Sequence, residues 1–116
     1  MIKFKTGIFT ITFSIPGSFS LKDKRGVMRR IVGKARGSRR SYNVSISEVA
    51  NQDNYKNGVI AVSILSSDHD YIYKMFEVLK RFFESFSDIE INCIKTEIVS
   101  FNYTLGDMFV EDKYEC

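Results

Sequence analysis

From Lys5 to Ile15 apolar and polar residues alternate, with Phe9, Ile11, Phe13 and Ile15 on one side and Ile8, Thr10, Thr12 and Ser14 on the other. Period two with β-branched and aromatic residues predicts a strand with one buried face. Pro16-Gly17 stops it. From Ser20 the period becomes helical. Leu21, Val27, Met28, Ile31, Val32 and Ala35 fall in one arc at 100° per residue, and Lys22, Arg25, Arg29, Arg30, Lys34 and Arg36 in the opposite one. Lys24 is the exception inside the apolar arc. Ser20 is placed to cap this helix, with Asp23 at its third position, and Gly37-Ser38 ends it.

Alternation returns over Tyr42 to Ala50, where Tyr42, Val44 and Ile46 share a face with Glu48 while Asn43, Ser45 and Ser47 face away. Asn51 to Asn57 reads as a polar turn and Gly58 to Ser66 as a buried strand. Ser67 is the expected cap of a second helix carrying Asp68 and Asp70 in its first turn. Its apolar face holds Ile72, Phe76, Leu79, Phe83 and Phe86, widened by Met75 and Phe82. Asp88 to Phe101 closes the series as a strand whose phase shifts between Ile91 and Ile94, which predicts a bulge or a change of partner.

Two β-α-β halves predict an α+β, ferredoxin-like βαββαβ fold, a four-stranded antiparallel sheet with both helices on one face. Residues 1–101 are expected to form this single domain and residues 102–116 an acidic tail of net charge −3. The uncovered sheet face would carry Thr10, Thr12, Ser14, Asn43, Ser45, Ser47, Ala61 and Ser63, without the aromatic stacking residues of an RNA-recognition motif.

Apolar residues make up 44% of the 116, enough for one core without disulfides. Two cysteines, Cys93 and Cys116, do not make a disulfide framework. No apolar run approaches the roughly 20 residues of a membrane span. The alternating N-terminus is unlike a secretion signal, so no membrane partner and a cytoplasmic location are expected. Charge changes the picture more. Residues 22–40 hold nine basic residues, Arg39 and Arg40 included, against Asp23 alone; that is +8 within a chain of net +3, leaving −5 for the remainder.

The run Ile15-Pro16-Gly17-Ser18-Phe19-Ser20-Leu21-Lys22-Asp23-Lys24-Arg25 resembles the opening motif of the YlxP-like family, a bacterial domain of unknown function. Tyr42-Asn43-Val44-Ser45-Ile46-Ser47-Glu48-Val49-Ala50-Asn51-Gln52-Asp53 is similar to its second motif, with Asn51 standing where the family commonly has His. The resemblance covers about residues 5 to 100. It implies a ferredoxin-like fold and a gene context beside translation-initiation and ribosome-maturation factors. It brings no catalytic residues.

On the residues themselves, the first helix could follow a phosphate backbone with Lys22, Arg25, Arg29, Arg30, Lys34 and Arg36, extended by Arg39 and Arg40. The bland alternative is a solvated helix face, or one paired with the acidic tail. Gly17, Ser18 and Ser20 could hold an anion at the helix start; the competing interpretation is a Pro-Gly turn and an ordinary cap. Lys24 and Glu48 each break an apolar pattern and are expected to meet as a structural ion pair near Asn51, Gln52 and Asp53. Asp68-His69-Asp70 cannot converge on one metal from adjacent helical positions. No catalytic residue, metal or cofactor is assigned. Three functions compete: a non-enzymatic module bound to ribosomal or other structured RNA, a homo-oligomeric interaction domain using the open face or a sheet edge, and a small-molecule enzyme at the Lys24, Glu48, Asp53 corner.

Overall fold

In the computed structural model, which describes residues 1–38 and 44–104, the element order is β1 (Ile2–Ser14), α1 (Leu21–Ser38), β2 (Val44–Ala50), β3 (Asn57–Ser66), α2 (His69–Glu84) and β4 (Glu90–Tyr103). The strands form one antiparallel sheet in the order β2-β3-β1-β4, the ferredoxin-like arrangement. Tyr42 and Asn43 of the expected second strand lie outside the described residues. β4 runs to Tyr103, past the expected domain end at residue 101.

Alternation sorts the sheet as its residues demand. Phe9, Ile11 and Phe13 of β1, Ile46 of β2, and Ile60, Val62 and Ile64 of β3 are buried against Met28, Ile31 and Ala35 of α1 and Ile72, Met75, Phe76, Leu79 and Phe83 of α2. The Phe9 ring stacks on Phe83 at 5.9 Å between centroids. The phase shift in β4 is a bulge at Asn92: Thr12 pairs with Cys93 but Phe13 with Ile91. A second register shift, at Val49 between Glu48 and Ala50, has no such signal in the sequence.

Both helix starts are capped by side chains. Ser20 Oγ accepts the Asp23 amide at 3.1 Å, while Asp23 Oδ2 accepts the Phe19 amide at 3.0 Å. On α2 the cap is Asp68 rather than Ser67, its Oδ1 accepting from the Asp70 amide at 2.9 Å and the Tyr71 amide at 3.4 Å. A carboxylate one residue nearer the helix adds charge at the positive end of the dipole.

Gly26 and Gly33 sit on the outer side of α1, and a Cβ at either would meet nothing within 4 Å. Neither has positive φ. Gly26→Ala and Gly33→Ala are therefore each expected to stabilise the protein by about 1 kcal/mol, read as a rise in the urea midpoint with an unchanged slope.

Candidate nucleic-acid interface

The opposed arcs of α1 arise because its apolar stripe must face β2 and the rest of the core, which leaves cations to solvent. Lys22, Arg25, Arg29, Arg30, Lys34 and Arg36 are all exposed. The fold divides them. Arg30 ion-pairs with Asp88, beyond the end of α2. Its guanidinium and the Lys34 ammonium each lie 5.6 Å from the centre of the Phe86 ring. Lys22, Arg25, Arg29 and Arg36, at steps of three, four and seven, form a stripe on the other flank, and none of them has a carboxylate partner among the described residues. Lys34 likewise has none. Arg39 and Arg40 lie outside the described residues. An 18-residue helix is about 27 Å long.

The loop before α1 is drawn inward. Ser18 is 1% exposed, its amide donating to Ile15 O at 3.0 Å and its hydroxyl to Ser20 O at 3.2 Å. With the Phe19 amide on the Asp23 carboxylate and the Asp23 amide on Ser20, the chain supplies its own acceptors where an external anion would bind. The Gly17, Ser18, Ser20 loop thus has the geometry of a cap. Phe19 itself is 74% exposed, with Lys56 Nζ 3.9 Å from its ring centre and also donating to Pro16 O at 3.0 Å.

Lys24, 2% exposed, reaches across to β2, where Glu48 Oε2 lies 3.0 Å from its ammonium. That contact is ionic rather than an aligned hydrogen bond; the ammonium donates instead to Asn51 O. Asn51 has φ of 60°, a left-handed conformation that Asn tolerates. Glu48 also lines a depression of about 280 Å³ with Met28, Arg29, Val32, Gly33 and Arg36. Asp53 is exposed and lines a separate depression with Asn54, Tyr55, Lys56 and Asn57. The three-residue corner is therefore not gathered around one cavity.

The open face carries Thr10, Thr12, Ser14, Ser45, Ser47, Ala61 and Ser63 with exposed Leu65 and Val99, and Thr6 Oγ1 lies 3.2 Å from Ser63 Oγ. It is not free of aromatics, however. Phe4 lies in phase with Thr10 and stacks on Phe101 at 5.1 Å and on Tyr103 at 6.1 Å. Carrying the alternation of β1 back past Lys5 would have placed Phe4 there; stopping the last strand at Phe101 hid Tyr103. Exposed His69 packs edge-on against Tyr73 at 4.8 Å. Among the described residues no three His, Cys, Asp or Glu side chains gather as a metal site, and no helix is long and apolar enough to cross a membrane.

The sequence profile of a family described as "Protein of unknown function (DUF503)" matches residues 6–96. The uncharacterized protein YlxP of Bacillus subtilis (strain 168) is 33% identical over 78 residues, 67% of this chain and 82% of that protein. Solved structures similar to this chain include the de novo designed protein Foldit4, with 14% identity and a TM-score of 0.47 over 86% of this chain and 99% of that one. Another is SnoaB, a cofactor-independent oxygenase from Streptomyces nogalater, with 15% identity and a TM-score of 0.40 over 85% and 93% of the two chains.

Proposed function

Because the chain belongs to the DUF503 family, whose description assigns no activity, we propose from its own surface that it is a non-enzymatic RNA-binding module that grips structured RNA along α1. The observation that carries this proposal is the row of exposed cations Lys22, Arg25, Arg29 and Arg36, with Lys34, all lacking carboxylate partners among the described residues. A rigid helix holds them at fixed spacing, so neutralising successive phosphates costs little ordering of the protein. Counterion release then drives binding. Phe19, exposed just before the helix, offers a ring on which an unstacked base can lie. Contacts of this kind recognise charge and shape rather than sequence.

Filter binding of ribosomal RNA across a salt series tests the proposal. Five cations without a carboxylate partner among the described residues, at about −0.7 per phosphate on single-stranded segments, give a log–log salt slope of about −3.5. Arg25→Gln/Arg29→Gln should flatten the slope to about −2. Arg30→Gln should change it little, because that guanidinium already faces Asp88. Binding that ignores salt, or that survives Arg25→Gln/Arg29→Gln unchanged, would refute an RNA interface on this helix.

A further inference from the structure

Among the described residues β4 is an edge strand, with β1 as its one neighbour in the sheet. The two edges are built differently. β2 carries a register shift at Val49, a device that blunts an edge against further pairing. β4 has 14 residues, and its bulge at Asn92 lies near the start, so Cys93 to Tyr103 continues in regular register. Ile94, Thr96 and Ile98 lie opposite Ile11, Phe9 and Gly7 and face the helix side, yet the isoleucines are only half-buried and Thr96 is exposed. Beside them a groove of about 210 Å³ opens between α2 and β4, floored by Phe9 and Phe76 and walled by Tyr73.

We infer that this edge pairs antiparallel with β4 of a second copy about a two-fold axis through Thr96, joining two four-stranded sheets into one. Charge complementarity selects the occupant and the register. Paired residues must point to the same face, so a symmetric antiparallel pairing centres on a residue. Centred on Lys95 or Glu97, it sets like charges opposite each other. Centred on Ile94 or Ile98, it sets both charges opposite uncharged residues. Centred on Thr96, it puts Lys95 opposite Glu97 of the second copy, and the reverse. The same register sets Ile94 opposite Ile98, Cys93 opposite Val99, and Thr96 opposite itself. Ile98 of the second copy then projects on the helix side beside Ile94, where the groove is open. Such a strand-to-strand contact is isologous and closed, so assembly stops at the dimer.

Sedimentation of the full chain over a concentration series is expected to show a reversible dimer. Lys95→Glu should raise the dimer dissociation constant at least ~10-fold, because two attractive cross-strand pairs become repulsive ones. Glu97→Lys should do the same, and Lys95→Glu/Glu97→Lys should restore wild-type dimerisation. Both side chains are exposed, so the melting of the dilute variants should stay at the monomer's value. In a Cys116→Ser background, Val99→Cys should cross-link to Cys93 of the second copy on mild oxidation. A chain that stays monomeric at every concentration overturns the inference. So does a dimer indifferent to the charge swap, which would place the contact elsewhere, for instance on the open Thr/Ser face.

Discussion

Gly7→Val is expected to destabilise the protein by roughly 3 kcal/mol, the upper end for overpacking a core. Gly7 lies on the helix side of β1, in phase with Phe9 and Ile11. A Cβ there would fall 2.3 Å from Ile72 Cγ2 and 3.0 Å from Phe76 Cζ. Ile72 is fully buried in the first turn of α2 and its β-branched side chain has few rotamers to retreat into. The clash must therefore move the helix or the strand. A valine's better strand propensity offsets at most ~1 kcal/mol. For a domain of this size the loss corresponds to a melting temperature lower by about 12–24 °C. Gly7→Ala should cost less, and Ile72→Ala in that background should cost less than it does alone, because it removes the colliding methyl. Strict additivity of the two changes in urea unfolding would show that helix and strand do not meet as closely as the backbone requires.

The second large effect is expected at the Lys24–Glu48 pair. Glu48→Leu leaves an ammonium that is 2% exposed with the Asn51 carbonyl but no counter-charge. Breaking a buried pair from one side costs about 3–5 kcal/mol. The Glu48 side chain is 24% exposed, so water reaches the site and the lower end, about 3 kcal/mol, is expected. Glu48→Gln keeps the shape and loses the charge, and should cost less, about 1–2 kcal/mol. Lys24→Met/Glu48→Leu should recover most of the loss, since two apolar side chains leave no stranded charge. Unfolding midpoints of the four proteins decide it. A Glu48→Leu variant that melts like wild type would show that the pair contributes nothing.

These two sites differ in how far they could be read from the chain. Lys24 and Glu48 were visible as polar residues at apolar phases, one in a helix and one in a strand. Placing both at one end of the sheet followed from the right-handed crossover. Asn51 was expected near the pair, but that its carbonyl accepts from Lys24 was not visible, because that depends on how the backbone turns there. Gly7 carried no signal either. A glycine in a strand marks close approach only once the approaching helix is known.

The candidate interface divides in the same way. That α1 has a basic outer arc is a property of residue spacing alone, since 100° per residue separates apolar from charged positions whatever the helix packs against. That Arg30 faces Asp88, and that both Arg30 and Lys34 approach Phe86 while Lys22, Arg25, Arg29 and Arg36 stay open to solvent, was decided by where the end of α2 comes to rest. Asp88 is 58 residues away along the chain. Element order, the two faces of the sheet, the bulge near Asn92 and the polar residues Lys24 and Glu48 at apolar phases are local or phase-encoded features, and short-range periodicity carries them. Which cations are neutralised and how far the Phe4, Phe101 and Tyr103 cluster extends depend on contacts between distant segments. Those contacts exist only once the core has closed.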